Sequence, residues 1–104
     1  NINSKTLIFD EVDSGVSGAV ADSIGVRLLN LSKFQQVLLV THLPQVAARG
    51  NKHYKTSKFV DKGITYTGIK ELTIEDRVEE IAKMISGNTV TQEALMLSNK
   101  LLKN

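Results

Sequence analysis

Two short apolar runs, separated by one amphipathic stretch, constrain this chain more than anything else in it. The first is TLIFD, Thr6 to Asp10, and the second is QVLLVT, Gln36 to Thr41. Both read as buried strands, apolar on both faces, of the kind found inside a parallel sheet. Between them, from Ser17 to about Leu31, the residues Val20, Ile24, Leu28 and Leu31 recur at helical spacing and predict a helix with one apolar face. Strand, helix, strand is a βαβ unit, which makes the two strands parallel neighbours joined by a right-handed crossover. Pro44 then opens a short helix, PQVAARG, where a proline is favourable because its missing N–H has no helical partner to lose.

The second half reads differently. Two polar strands, about His53 to Val60 and Ile64 to Ile69, flank DKG and predict a hairpin, with His53 an ordinary strand residue. Thr73 to Ser86 predicts a helix. Thr73 and Asp76 resemble a capping box, Ile74, Val78, Ile81, Ala82 and Ile85 form the apolar stripe, and Gly87 occupies the C-cap position. A last helix is expected from about Thr91 to Leu102, with Leu95, Leu101 and Leu102 as buried candidates. Met84 and Met96 read as core fillers. The fold class is α/β: parallel strands with flanking helices, plus a β-hairpin.

Composition bounds the function. With 104 residues, 41% hydrophobic and 23% charged, the chain suits one domain or a piece of a larger one. A net charge of +2 does not by itself argue for nucleic acid. There is no cysteine, which excludes disulfides and thiolate metal sites. No apolar run approaches the roughly 20 residues of a membrane span. The start, NINSKT, has neither a methionine nor a signal-peptide pattern, and the expectation is a chain cut from a longer one.

Ligands of open parallel sheets sit beyond the carboxyl ends of the strands. Asp10 and Glu11 fall at that end of the first strand, and the second strand ends in THLP, which brings His42 to the same rim. A strand ending in Asp suits Mg²⁺ beside nucleotide phosphates, since the hard cation takes oxygen ligands. An adjacent Glu can orient and deprotonate a water. A histidine one strand away can hydrogen-bond a terminal phosphate. The plainer alternative makes the acids a solvated strand end and His42 a loop residue.

These residues resemble a known family. TLIFDE looks like the Walker B strand of ATP-binding-cassette ATPases, VDSGVSG like their D-loop and LLVTHLPQVAA like their switch-histidine loop. FDEVDSGVSG with THLPQVAA, the hairpin and RVEEIAKMISG is similar to the C-terminal lobe of the ATPase head in bacterial SMC-like DNA repair and recombination proteins. The resemblance runs from about Thr6 to Leu102. It implies that Asp10 binds Mg²⁺ through water and that Glu11 is the general base of ATP hydrolysis. It implies that Asp13, Ser14 and Gly15 form a D-loop crossing to a second head in a homodimer. It also implies that His42 contacts the γ-phosphate and the partner's D-loop. Gly15 and Gly18 would then allow close approach and the turn into the helix. The implied cofactors are ATP and Mg²⁺, the implied setting is the bacterial cytoplasm and nucleoid, and DNA is engaged through the full-length protein, with no membrane.

Two motifs of that family are not in the sequence. No G-x-x-x-x-G-K-S/T occurs, so the Walker A lysine is not supplied here, and no LSGGE-like signature occurs. The resemblance places the signature just before this chain and Walker A far upstream, beyond a coiled coil. Residues 1–104 would then carry half of one site and be inactive alone, and the N-terminal lobe of the same head would cover apolar surface. Two rivals stand beside this reading: an ATPase subunit of a transporter, and a non-catalytic interaction domain. Lys52, Lys55, Lys58 and Lys62 give the hairpin a basic character. They suit a DNA backbone or, more simply, a solvated edge protected against aggregation.

Overall fold

The computed structural model describes residues 5–12 and 14–103. Its elements follow in the order β1 (Thr6–Asp10), α1 (Gly18–Leu31), β2 (Gln36–Val40), α2 (Pro44–Ala47), β3 (Tyr54–Asp61), β4 (Ile64–Glu71), α3 (Ile74–Ser86) and α4 (Gln92–Lys103). β1 and β2 are parallel, with Thr6 opposite Gln36 and Asp10 opposite Val40. β3 and β4 form the expected antiparallel hairpin, with Asp61 opposite Ile64. Lys62 and Gly63 between them both have positive φ, 51° and 78°, which is the two-residue turn whose twist matches a hairpin.

Local signals set the element ends. Ser17 Oγ accepts from the Val20 N–H at 3.4 Å and starts α1, and Thr73 Oγ1 accepts from the Asp76 N–H at 3.1 Å and starts α3. Gly87 closes α3 at φ 81°, a conformation that suits glycine.

Burial departs from the periodic reading in four places. The parallel pair is covered on one face only: Leu7, Phe9, Val37 and Leu39 are half-buried, whereas Ile8 (71% exposed), Leu38 and Val40 are open. In α1 the buried line is Ala21 and Gly25 rather than the larger residues, and Val20 is exposed. α2 approaches α1 at this line: a Cβ on Gly25 would lie 3.1 Å from Arg49 Cγ and 3.5 Å from Val46 Cα. In α3 the buried residues are Arg77, Ile81 and Ala82, while Ile74 stands in solvent. In α4 they are Ala94 and Ser98; Leu95, Leu101 and Leu102 are half-buried, and Met96 is exposed and fills no core. In α1 and α4 the reason is the same. Small side chains let backbones come close, so the tightest contacts fall on Ala, Gly and Ser, and large apolar groups sit beside the seam. Ser98 Oγ donates to the Val78 carbonyl at 2.6 Å and ties α4 to α3.

His53 precedes β3 rather than lying in it. It is half-buried, and its carbonyl accepts from the Leu72 N–H at 2.8 Å.

Candidate functional site

The carboxyl edge of the parallel pair is where the sequence places its acids and its histidine. The ladder runs one step past β1, with the Glu11 N–H donating to the Val40 carbonyl at 2.8 Å. There the backbone leaves the strand conformation: Glu11 has φ 51°, in the left-handed region. For a residue with a Cβ this costs about 1–2 kcal/mol. The conformation is held from both sides, by Val40 and by the Ser14 N–H, which donates to the Glu11 carbonyl at 3.1 Å. The result breaks the alternation of β1, so Glu11 does not simply continue the strand's pattern.

His42 stands two residues beyond Val40. Its Nδ1 lies 3.4 Å from Glu11 Oε1, and both side chains are more than half exposed. A contact in that much solvent adds little stability; its consequence is orientation. Asp10 is exposed at the same edge. The donor set is two adjacent carboxylates, hard oxygens of the kind Mg²⁺ takes. Among the described residues no group of three or more His, Cys, Asp or Glu gathers to hold a metal. Asp10 fits an ion that keeps most of its ligands from water and phosphate, as Mg²⁺ does.

The loop after Glu11 turns at Gly15, which has φ 79°. Asp13 lies outside the described residues, and Ser14 is exposed. At the start of α1, a Cβ on Gly18 would come within 3.3 Å of Gln45 Nε2, so this end of the loop abuts α2.

The hairpin lysines divide. Lys55 and Lys70 are directly opposed across the strands, a repulsive placement that α3 relieves: Lys55 Nζ lies 2.8 Å from Glu80 and Lys70 Nζ 3.9 Å from Asp76. Lys52, Lys58 and Lys62 are exposed. Phe59 and Tyr66 stack at 5.3 Å between ring centroids on the face that Lys55 and Lys70 share.

Sequence reading missed Arg77. It is 7% exposed, and its Nη2 donates to the Ala47 carbonyl at 3.1 Å. The signal was present, since Arg77 lies one turn before Ile81 on the apolar side of α3. Burial lowers its pKa from the ordinary arginine value. Burial, and next the charge of Arg77, holds His53 below the usual imidazole range, with Glu80 opposing.

A parallel pair carrying an acid-and-histidine rim, with an antiparallel hairpin and two further helices, is a fold shared with an SMC ATPase. A solved SMC ATPase structure, from work on ATP-driven dimerization and DNA-stimulated activation, matches with a TM-score of 0.62, covering 85% of this chain and 52% of that one at 17% identity. In sequence, the chain resembles the C-terminal part of the DNA repair protein RecN. It is 49% identical over 98 residues to RecN of Xylella fastidiosa, covering 94% of this chain. It is 45% identical over 100 residues, 96% of the chain, to RecN of Deinococcus radiodurans, and 44% identical over 97 residues, 93% of the chain, to RecN of Rickettsia conorii. The chain spans 18% of the length of each of these relatives. No family model matches it.

Proposed function

We propose that this chain is the C-terminal lobe of an ATPase head in a RecN-like protein of bacterial DNA double-strand break repair and recombination, and that the full-length protein hydrolyses ATP between two dimerised heads. The observation that carries the reading is the convergence of Glu11 and His42 at 3.4 Å on the carboxyl edge of a parallel pair, in a sequence similar along nearly all its length to DNA repair proteins. In this reading residues 1–104 carry Walker B, the D-loop and the switch-histidine loop. The N-terminal lobe of the same head covers Ile8, Leu38 and Val40, and a second head meets the D-loop at Asp13, Ser14 and Gly15. DNA is engaged through the full-length protein, in the cytoplasm at the nucleoid. Among the described residues no helix is long and apolar enough to cross a membrane. The similarity to RecN favours this reading over a transporter subunit.

Each residue then has a chemical task. Asp10 holds Mg²⁺ through water. The ion, when bound with ATP, offsets charge on the phosphates. Glu11 accepts the proton of the attacking water. His42 donates a hydrogen bond to the γ-phosphate, where charge develops in the transition state. The left-handed backbone at Glu11 keeps its carboxylate at the rim.

The test is Glu11→Gln in the full-length protein. The amide keeps the shape and cannot take the proton. ATP binding is expected to persist, hydrolysis to fall by about 10²–10⁴, and gel filtration with ATP to show an accumulated dimer. Normal turnover in this variant overturns the reading.

A further inference from the structure

We propose that Arg77, far along the chain from the rim, is a positioning residue for His42 that acts through α2. The proposal rests on the reading of His42 given above. α2 has only four residues, and its N-cap, Leu43, offers no side-chain hydrogen bond. A helix that short does not hold itself, so its place is set from outside. On one flank α1 holds it. Val46 is buried, Gly25 packs beneath it where a Cβ would lie 3.5 Å from Val46 Cα, and Arg49 Nη2 pairs with Asp22 Oδ1 at 2.9 Å. On the other flank α3 holds it through the buried Arg77, whose Nη2 donates to the Ala47 carbonyl at 3.1 Å. That carbonyl also accepts from the Gly50 N–H at 3.3 Å, so the guanidinium closes the last turn of α2.

The link from α2 to His42 is stiff. Leu43 is extended, at φ −97° and ψ 124°, as a residue before proline must be. Its N–H donates to Thr41 Oγ1 at 3.1 Å, which fixes the turn around His42. A displacement of α2 therefore moves the imidazole against Glu11. Of the two side-chain anchors, the pair with Asp22 is the more exposed. Arg77 is 7% exposed, so water competes less for its hydrogen bond, which makes it the firmer hold. α3 itself is fixed by the bond from Ser98 to Val78. Its N-terminal half also carries Asp76 and Glu80, the partners of the hairpin lysines. Arg77 therefore joins the rim to the hairpin side of the molecule.

The test is a double-mutant cycle in the full-length protein. Arg77→Gln is expected to lower kcat for ATP roughly 10- to 100-fold, as small misplacements of a reacting group do, with a much smaller change in KM. In a His42→Ala background it should cost nothing further, because its effect passes through the imidazole. Arg77→Lys, which keeps a cationic donor, should recover much of the turnover. Unchanged kcat in Arg77→Gln overturns the proposal. So do losses that multiply in the double variant, or a loss matched by the unfolded fraction at assay temperature and unrelieved by lysine. If His42→Ala alone turns over normally, the His42 reading fails and this proposal fails with it. A loss in His42→Ala with none in Arg77→Gln rejects Arg77 alone.

Discussion

The imidazole Nδ1 of His42 lies 3.4 Å from Oε1 of Glu11, and the two residues come from the ends of different strands. Parallel pairing brings them together: Asp10 is opposite Val40, so the residues just past each strand share one edge. On the proposed roles, His42→Ala in the full-length protein should lower turnover by about 10²–10³, the usual cost of removing a donor to developing charge. Nucleotide affinity should change far less, since the imidazole is one contact among many in the ground state. Steady-state kinetics with a nucleotide titration measures both. A turnover number equal to wild type removes His42 from the site.

Asp10 and Glu11 are adjacent and carry different tasks. Asp10→Asn takes a charge from the outer shell of Mg²⁺ and should weaken its retention. Raising Mg²⁺ should restore part of the turnover of Asp10→Asn and none of that of Glu11→Gln. Turnover across a Mg²⁺ series separates them, and parallel responses from the two variants would mean that base and metal ligand have been misassigned.

The chain by itself should neither bind nor hydrolyse ATP. The Walker A loop and lysine make many of the phosphate contacts in such heads, and the 104 residues contain no such motif. Isothermal titration with Mg-ATP is the check, and micromolar binding contradicts the expectation.

His53 gives a pH dependence with a definite sign. Its pKa in the folded state is lowered, first by burial and then by Arg77, so the unfolded state takes the proton more readily. The stability that its neutral form contributes is fully present above the ordinary histidine value of about 6.5. It falls as pH drops from there toward the lowered folded value. Thermal melts of the full-length protein between neutral and mildly acid pH should show this loss, and His53→Gln should flatten it. A melting profile with the same slope in both proteins assigns the acid sensitivity elsewhere.

What the sequence by itself determined was local. The spacing of Val20, Ile24 and Leu28 marked α1, Thr73 and Gly87 marked the ends of α3, and Asp61-Lys62-Gly63 marked the hairpin turn, because periodicity, caps and positive-φ turns act within a few residues. It also put Glu11 and His42 at one edge, because a βαβ unit makes the strands parallel and parallel strands share their carboxyl end. Tertiary structure alone decided the rest. Which face of an element is covered depends on what approaches it: α2 meets α1 at Gly25, Val20 and Ile74 stay in solvent despite their apolar spacing, and Met96 does so although it reads as a core filler. The left-handed backbone of Glu11 is held by the hydrogen bond its N–H donates to the Val40 carbonyl on another strand and by the one its carbonyl accepts from the Ser14 N–H. The buried place of Arg77 exists only because the Ala47 carbonyl, distant in sequence, lies where the guanidinium can reach it. The place of Arg77 one turn before Ile81 could be read along the helix, but an arginine loses too much hydration to be buried without a partner, and that partner lies outside the helix's own pattern.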